Sequence, residues 1–152
     1  MPSSPAEGDQ PVLTRIDHVG IACRDLAERI CFYQSAFGLT VVSREVNEEQ
    51  GVHEAMLGVS SGPAGGSYVQ LLEPLRPDTP VGRFLARRGE GIHHIAYGVA
   101  DLPAALGSIG GTGIRPLDAR PRPGAMGSSI AFLHPADVGG VLTELVQAPR
   151  QG

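Results

Sequence analysis

The sequence predicts an α+β fold in which two tandem βαβββ modules form one open-barrel-like sheet around a cleft. A repeated phrase, the same elements after each copy, and a constant offset support this prediction. "RIDHVGIACRDLAERI" at 15–30 and "GIHHIAYGVADLPAAL" at 91–106 each place a histidine in an apolar run before an Asp-Leu pair. The offset is 76 residues for both equivalent pairs, His18 with His94 and Asp25 with Asp101. Chance rarely keeps two such features in register, so we expect a duplicated fold.

The first module is predicted to span about 14–75. Its helix begins at Asp25, a good N-cap, and ends at Gly38, with apolar residues at helical spacing between them. Strand patterns follow at 39–46, 52–59 and 67–74, the last two separated by the glycine-rich "SSGPAGGS".

The second module is predicted at about 90–149, after a linker helix at about 78–89 that starts at Thr79-Pro80 and ends at Gly89. A helix behind Asp101, a short strand near "GIRPL" and two strands at 128–135 and 140–147 complete it. The Pro- and Gly-rich 115–127 reads as a loop at the rim of a site. Residues 1–13 read as a disordered polar tail, which leaves a single domain at 14–149.

Composition excludes several classes of function. The net charge of −4 and the scarcity of aromatic residues argue against nucleic-acid binding. No apolar run is long enough for a membrane span, and the N-terminal segment lacks the features of a targeting signal. The basic residues are all arginine, so Schiff-base chemistry on lysine is excluded. Two cysteines do not make a disulfide framework and favour a reduced, cytoplasmic protein.

Four polar residues in apolar strands are candidate metal ligands. His18 and His94 share their strand faces with small residues, which leaves room beside each imidazole. Gln70 follows His18 by 52 residues, and Glu144 follows His94 by 50, so each module supplies one equivalent pair. The pseudo-two-fold symmetry predicts that all four side chains converge. His93 is the competing histidine, but strand alternation predicts that it faces away from His94.

Two imidazoles, one carboxylate and one amide oxygen suit a divalent ion such as Co²⁺, Ni²⁺, Mn²⁺, Zn²⁺ or Mg²⁺. An ion with octahedral preference would keep two adjacent positions open for substrate oxygens. A four-coordinate zinc would be closed, so an open metal centre is the better expectation for catalysis.

The chain resembles the methylmalonyl-CoA epimerases of the vicinal oxygen chelate superfamily from about residue 16 to residue 147. The fold is shared across that superfamily, whereas a set of phrases together is more specific. These phrases are "DHVGIA" (17–22), "FYQSAFGL" (32–39), "EEQGV" (48–52), "VQLLEPL" (69–75), "GIHHIAY" (91–97) and "IAFLHPADVGGVLTELVQ" (130–147).

The resemblance implies interconversion of (2R)- and (2S)-methylmalonyl-CoA by removal and return of the C2 proton through a metal-stabilised enolate. It implies an acyl-CoA substrate, a homodimer, a divalent cofactor with Co²⁺ the first choice, and the same four ligands. It also implies catalytic roles for Glu49 and Glu144. Glu48 stands where proline is common in the family, so Glu48 remains an alternative to Glu49. Whether a metal-bound Glu144 is basic enough to be the second base also stays open.

Two other functions remain compatible with the sequence. A glyoxalase-type isomerase of a glutathione hemithioacetal would share the fold, the metal and the proton transfer. A metal-free protein that sequesters small molecules would share only the fold, and the four filled ligand positions argue against it.

Overall fold

The computed structural model describes residues 12–59 and 67–150. This part of the chain contains eight strands, three α-helices and two short 3₁₀ turns. In chain order they are β1 (Arg15–Ala22), α1 (Leu26–Phe37), β2 (Thr40–Asn47), β3 (Val52–Gly58), β4 (Tyr68–Pro74), α2 (Pro80–Arg88), β5 (Gly91–Gly98), α3 (Leu102–Gly110), β6 (Arg122–Pro123), a turn at Ala125–Gly127, β7 (Ser129–Leu133), a turn at Pro135–Asp137, and β8 (Thr143–Gln147).

The strands form one sheet, curled into a half-barrel, in the order β2-β3-β4-β1-β5-β8-β7-β6. Each module contributes one half of this order. The two first strands, β1 and β5, pair antiparallel at the centre, and each pairs parallel with the last strand of its own module. This arrangement confirms the predicted α+β fold of two βαβββ modules.

The helix boundaries follow the predicted capping residues. The side chain of Asp25 accepts a hydrogen bond from the backbone N–H of Glu28 at 3.0 Å, and Asp101 accepts one from Ala104 at 2.9 Å. These bonds satisfy free N–H groups at equivalent helix starts. Gly38 ends α1 with φ of +70°, a conformation that favours glycine.

One predicted strand is wrong. Residues 113–117 were expected to form the short second strand of the second module, but only an isolated bridge between Pro116 and Leu133 forms there. The strand that fills this position is β6, inside the segment that we expected to be a loop, and it pairs with β7 at the sheet edge. Both segments contain a proline, which lacks a backbone N–H and interrupts a ladder, and the strand that does form is only two residues long and lies at the sheet edge.

The helices lie on both faces of the sheet. Leu71 of β4 packs with α1, whereas Leu72 packs with α2, and adjacent strand residues face opposite ways. Helix α3 packs on Leu145 of β8 and matches α1 by the module symmetry. We call the face that carries α2 the inner face. By the same alternation it bears His18, Gln70, His94 and Glu144.

Two predictions fall outside the described residues. The expected disordered tail lies mostly at 1–11, and most of the glycine-rich turn lies at 60–66. In the described part of the chain, no helix has the length and apolar character needed to cross a membrane.

Candidate active site

Three of the four predicted ligands converge at the centre of the inner face. Nε2 of His18 lies 3.2 Å from Nε2 of His94 and 3.4 Å from Oε1 of Glu144. Nε2 of His94 lies 3.5 Å from Oε2 of Glu144. All three residues are buried, and their ligand atoms lie within 4.8 Å of one another. This spacing is suitable for a single metal ion between them.

The central strand pairing creates this cluster. His94 lies opposite Gly20 in the β1–β5 ladder, and Glu144 lies opposite Ala96 in the β5–β8 ladder. A Cβ atom on Gly20 would lie 2.2 Å from Cε1 of His94. The glycine two residues after His18 therefore provides the space for the imidazole from the other module.

Gln70, the fourth predicted ligand, lies on β4 opposite Gly20 on the neighbouring strand. It is 5% exposed, and its Nε2 donates a hydrogen bond of 2.9 Å to Oε2 of Glu54. Its Oε1 is buried and has no hydrogen-bond partner among the described residues. A buried amide oxygen without a partner is costly and rare. The Gln70 oxygen is therefore available to a ligand of the site.

Glu54 was missed by the sequence analysis. It lies on β3, is 2% exposed, and its Oε1 also has no partner in the described part of the chain. Burial, followed by the nearby charge of Glu45, raises the pKa of Glu54 to about 7 although the Gln70 hydrogen bond opposes the rise. The signal was a polar residue in the apolar strand "VHEAMLG", the same kind of signal that identified Gln70 and Glu144.

A cavity of about 240 Å³ connects these groups. Its walls include His18, Gln70, Glu54 and Glu144, together with apolar side chains such as Met56 and Ile130. Residues 124–126 of the predicted rim loop also line it, which agrees with the expectation that this loop borders the site. The cavity walls thus combine buried polar groups with apolar side chains.

The imidazole of His18 is held from behind by a carboxylate. Nδ1 of His18 lies 2.8 Å from Oδ2 of Asp17, and Arg15 donates to the other oxygen of Asp17 at 2.6 Å. Burial acts to raise the pKa of Asp17, but the hydrogen bonds from His18 and Arg15 outweigh burial and keep this pKa below its usual value. Ionised Asp17 accepts a hydrogen bond from Nδ1–H of His18, so Nε2 of His18 presents its lone pair to the cluster.

His93 does not face away from His94, and that prediction is wrong. The β1–β5 ladder pairs Gly20 with His94 and Ile21 with Ile92, so His93 is an extra residue in β5, a β-bulge. The bulge breaks the two-residue alternation, and Nδ1 of His93 lies 3.0 Å from Nδ1 of His94. Burial lowers the pKa of His93 to about 4.

Glu49 lies on the exposed turn between β2 and β3, where Arg122 donates a 3.0 Å hydrogen bond to its Oε1. The structure does not bring it to the cavity that contains His18, Gln70 and Glu144. It lines another cavity, of about 250 Å³, whose walls also include His93 and His94. Glu48, its neighbour, is also exposed.

Burial shifts the pKa values of two residues of the cluster in opposite directions. Burial raises the pKa of Glu144 well above its usual value, and the carboxylates of Glu54 and Asp17 add to the rise. Burial also lowers the pKa of His94, and electrostatic repulsion from His18 and His93 adds to this lowering. A divalent cation would reverse the first effect, because its charge favours the ionised carboxylate.

Comparisons with known proteins identify the family of this chain. The sequence profile of the Glyoxalase/Bleomycin resistance protein/Dioxygenase superfamily matches residues 17–132. The human mitochondrial methylmalonyl-CoA epimerase is 36% identical over 90% of this chain and 75% of its own length. An ethylmalonyl-CoA/methylmalonyl-CoA epimerase of Cereibacter sphaeroides is 33% identical over 90% of this chain and 99% of its own.

Solved structures give the same result. A variant of the Streptomyces coelicolor methylmalonyl-CoA epimerase in complex with 2-nitronate-propionyl-CoA is 54% identical and has a TM-score of 0.87. The match covers 91% of this chain and 99% of that one. A methylmalonyl-CoA epimerase in complex with methylmalonyl-CoA is 55% identical, with a TM-score of 0.85 over 90% of this chain and 95% of that one.

Proposed function

The chain belongs to the Glyoxalase/Bleomycin resistance protein/Dioxygenase superfamily and, within it, to the methylmalonyl-CoA epimerases, and we propose that it interconverts (2R)- and (2S)-methylmalonyl-CoA. The observation that carries this proposal is the buried group of His18, His94 and Glu144. Beside it lies a cavity with two buried side-chain oxygens that have no hydrogen-bond partner among the described residues. Relatives that bind methylmalonyl-CoA or an analogue support an acyl-CoA substrate.

The residues at the centre fit a divalent metal ion. Asp17 accepts a hydrogen bond from Nδ1–H of His18. The Nε2 lone pair of His18 therefore faces the carboxylate of Glu144 and the imidazole of His94. Electron-pair donors packed this closely repel one another unless a metal ion or a shared proton lies between them. We assign His18, Gln70, His94 and Glu144 as ligands, Gln70 through its free Oε1. When bound, the ion supplies Lewis-acid stabilisation of negative charge on the substrate oxygens.

The mixed nitrogen and oxygen ligand set suits Co²⁺, which we propose as the native ion, and would also accept Ni²⁺, Mn²⁺, Zn²⁺ or Mg²⁺. The absence of a thiolate among the three clustered residues favours these ions over ones that prefer sulfur.

Inversion at C2 needs a base on one face of the carbon and a proton donor on the other. Glu54 and Glu144 lie on β3 and β8, which stand on opposite sides of the central strand pair β1–β5. Both line the same cavity. In the forward direction ionised Glu54 takes the C2 proton and the C–H electron pair moves into the thioester as an enolate. The enolate regains a proton at C2 on the opposite face from the carboxyl group of Glu144, which becomes a carboxylate. For Glu144 to serve as ligand and donor, one of its oxygens would hold the ion while the other carries the proton.

Glu54 fits the first role better than Glu49. A general base near pH 7 works best when its pKa lies near that pH, and burial raises the pKa of Glu54 to about 7. Glu49 is 51% exposed at its side chain, is paired with Arg122, and is not among the residues that line the cavity with His18 and Glu144. Glu49 stays a prediction that the matched variants in the Discussion test.

The setting of the enzyme is also proposed. Cys23 and Cys31 are both free thiols, which supports a reducing compartment such as the cytoplasm. A homodimer is the proposed assembly, by similarity to the family. Light scattering coupled to size-exclusion chromatography measures it, and a monomeric mass would contradict it.

The decisive experiment follows deuterium exchange at C2 of methylmalonyl-CoA in D₂O by NMR, with metal-free and metal-loaded protein. Exchange that depends on metal supports the epimerase. Bound metal without exchange, combined with turnover of a glutathione hemithioacetal, would replace it with the glyoxalase-type isomerase. A protein with neither bound metal nor turnover would be the small-molecule-sequestering alternative.

A further inference from the structure

His94 has one imidazole neighbour at each of its ring nitrogens. Its Nδ1 lies 3.0 Å from Nδ1 of His93, and its Nε2 lies 3.2 Å from Nε2 of His18. A neutral imidazole carries one proton, on one nitrogen or the other. The nitrogen of His94 that holds this proton therefore decides whether Nε2 can bind a cation.

Two proton arrangements are compatible with these distances. In the first, Nδ1–H of His94 donates to His93, and the Nε2 lone pair points into the ligand cluster. In the second, His93 donates to Nδ1 of His94, and Nε2–H of His94 donates to Nε2 of His18. The second arrangement places a His–His hydrogen bond in the space where a metal ion would lie, and it uses the lone pairs of both ligands.

We propose that His93 is a positioning residue whose Nδ1 accepts a hydrogen bond from Nδ1–H of His94. This hydrogen bond keeps the proton of His94 on Nδ1 and its Nε2 lone pair directed toward the metal. The β-bulge is what brings the His93 ring to this side, since regular alternation would point it away. Phe84 of α2 then holds the ring in an edge contact, with centroids 5.1 Å apart and planes at 80°. The inference rests on the proposed metal site.

The two imidazole ligands consequently have different supports. A carboxylate, Asp17, lies behind His18, whereas an imidazole, His93, lies behind His94. Groups that orient a ligating histidine in this way typically account for 10–100-fold in metal affinity. We expect the same range for His93.

The first test compares His93→Leu with His93→Asn. The oxygen of asparagine takes approximately the position of Nδ1 and can accept the proton, whereas leucine cannot. Metal affinity is measured by competition with a chelator, without substrate. We expect about a 10–100-fold weaker Kd for His93→Leu and recovery of most of this loss in His93→Asn. His53→Leu is the matched control, because His53 contacts Arg44 on the face of β3 opposite Glu54.

Equal losses in the leucine and asparagine variants would show that His93 only fills space, and wild-type affinity in His93→Leu would remove its role altogether. If neither variant folds, long-range ¹H–¹⁵N NMR of the wild-type, metal-free protein decides the question. A proton on Nδ1 of His94 supports the inference, and a proton on Nε2 overturns it. Failure of the wild-type protein to bind any divalent ion would instead refute the proposed metal site.

Discussion

Replacement of Glu54 by glutamine should make the protein more stable and nearly inactive at the same time. Glutamine has about the same shape, and its carbonyl oxygen can still accept the 2.9 Å hydrogen bond from Gln70. What changes is the ability to become a carboxylate. Burial destabilises the ionised form of Glu54 in the folded state, and the ionised form is also the one that takes the C2 proton.

The size of the stability effect follows from the pKa of Glu54. Its rise from 4.5 to about 7 corresponds to about 3 kcal/mol of preference for the protonated form in the folded state. The pKa of Glu54 is higher in the folded state than in the unfolded state. The contribution of protonated Glu54 to the free energy of unfolding is therefore fully present below pH 4.5 and is lost as pH rises through 7. Glutamine never ionises, so the gain of Glu54→Gln should grow over this window and reach at most about 3 kcal/mol near pH 8.

The assay has two parts. Denaturant unfolding of metal-free protein at pH 5 and pH 8 measures the free energy of unfolding, and C2 exchange of metal-loaded protein measures turnover. Loss of a general base should reduce turnover by about 10²–10⁴-fold. In the wild type, kcat/KM should rise with pH as Glu54 ionises, since the carboxylate is the active form. The midpoint should lie below the metal-free pKa of about 7, because the nearby cation favours the carboxylate.

Glu49→Gln is the matched control, with the same chemical change on an exposed turn. We expect its stability to stay within about 0.5 kcal/mol of wild type and its turnover to remain close to wild type. Normal turnover in Glu54→Gln, or a large loss in Glu49→Gln, would return the role of first base to Glu49. A stability gain that does not depend on pH would refute the explanation from burial.

Three further predictions concern the ligands and the fold. His18→Ala should lose bound metal and activity together, measured by elemental analysis and C2 exchange; retained metal would contradict the ligand assignment. Gly20→Ala should displace the imidazole of His94, because the new Cβ would lie 2.2 Å from it, and should weaken the metal Kd at least tenfold, whereas Gly91→Ala, where nothing lies within 4 Å, should not. Asp25→Ala should lower the free energy of unfolding by about 1 kcal/mol through loss of the helix cap, and an unchanged value would show that the hydrogen bond to Glu28 is not stabilising.

The sequence was sufficient for the duplicated fold because the repeat records it directly. A constant offset between equivalent histidines and equivalent caps indicates two modules, and two similar modules pack most simply about a two-fold axis. The same symmetry identified His18, His94 and Glu144, which the structure brings together. Helix ends were equally local, since Asp25 and Gly38 act within their own turn.

Tertiary structure decided what depends on departures from a regular pattern. A single extra residue in β5 turned His93 toward His94, and strand alternation has no means to foresee a bulge. The different burial of Glu49 and Glu54 is another such feature, because Glu54 lies within the sheet beside β4 whereas Glu49 lies on an exposed turn. Which carboxylate acts as a base is set by its surroundings, because desolvation and neighbouring charges determine its pKa, and only the folded chain supplies them.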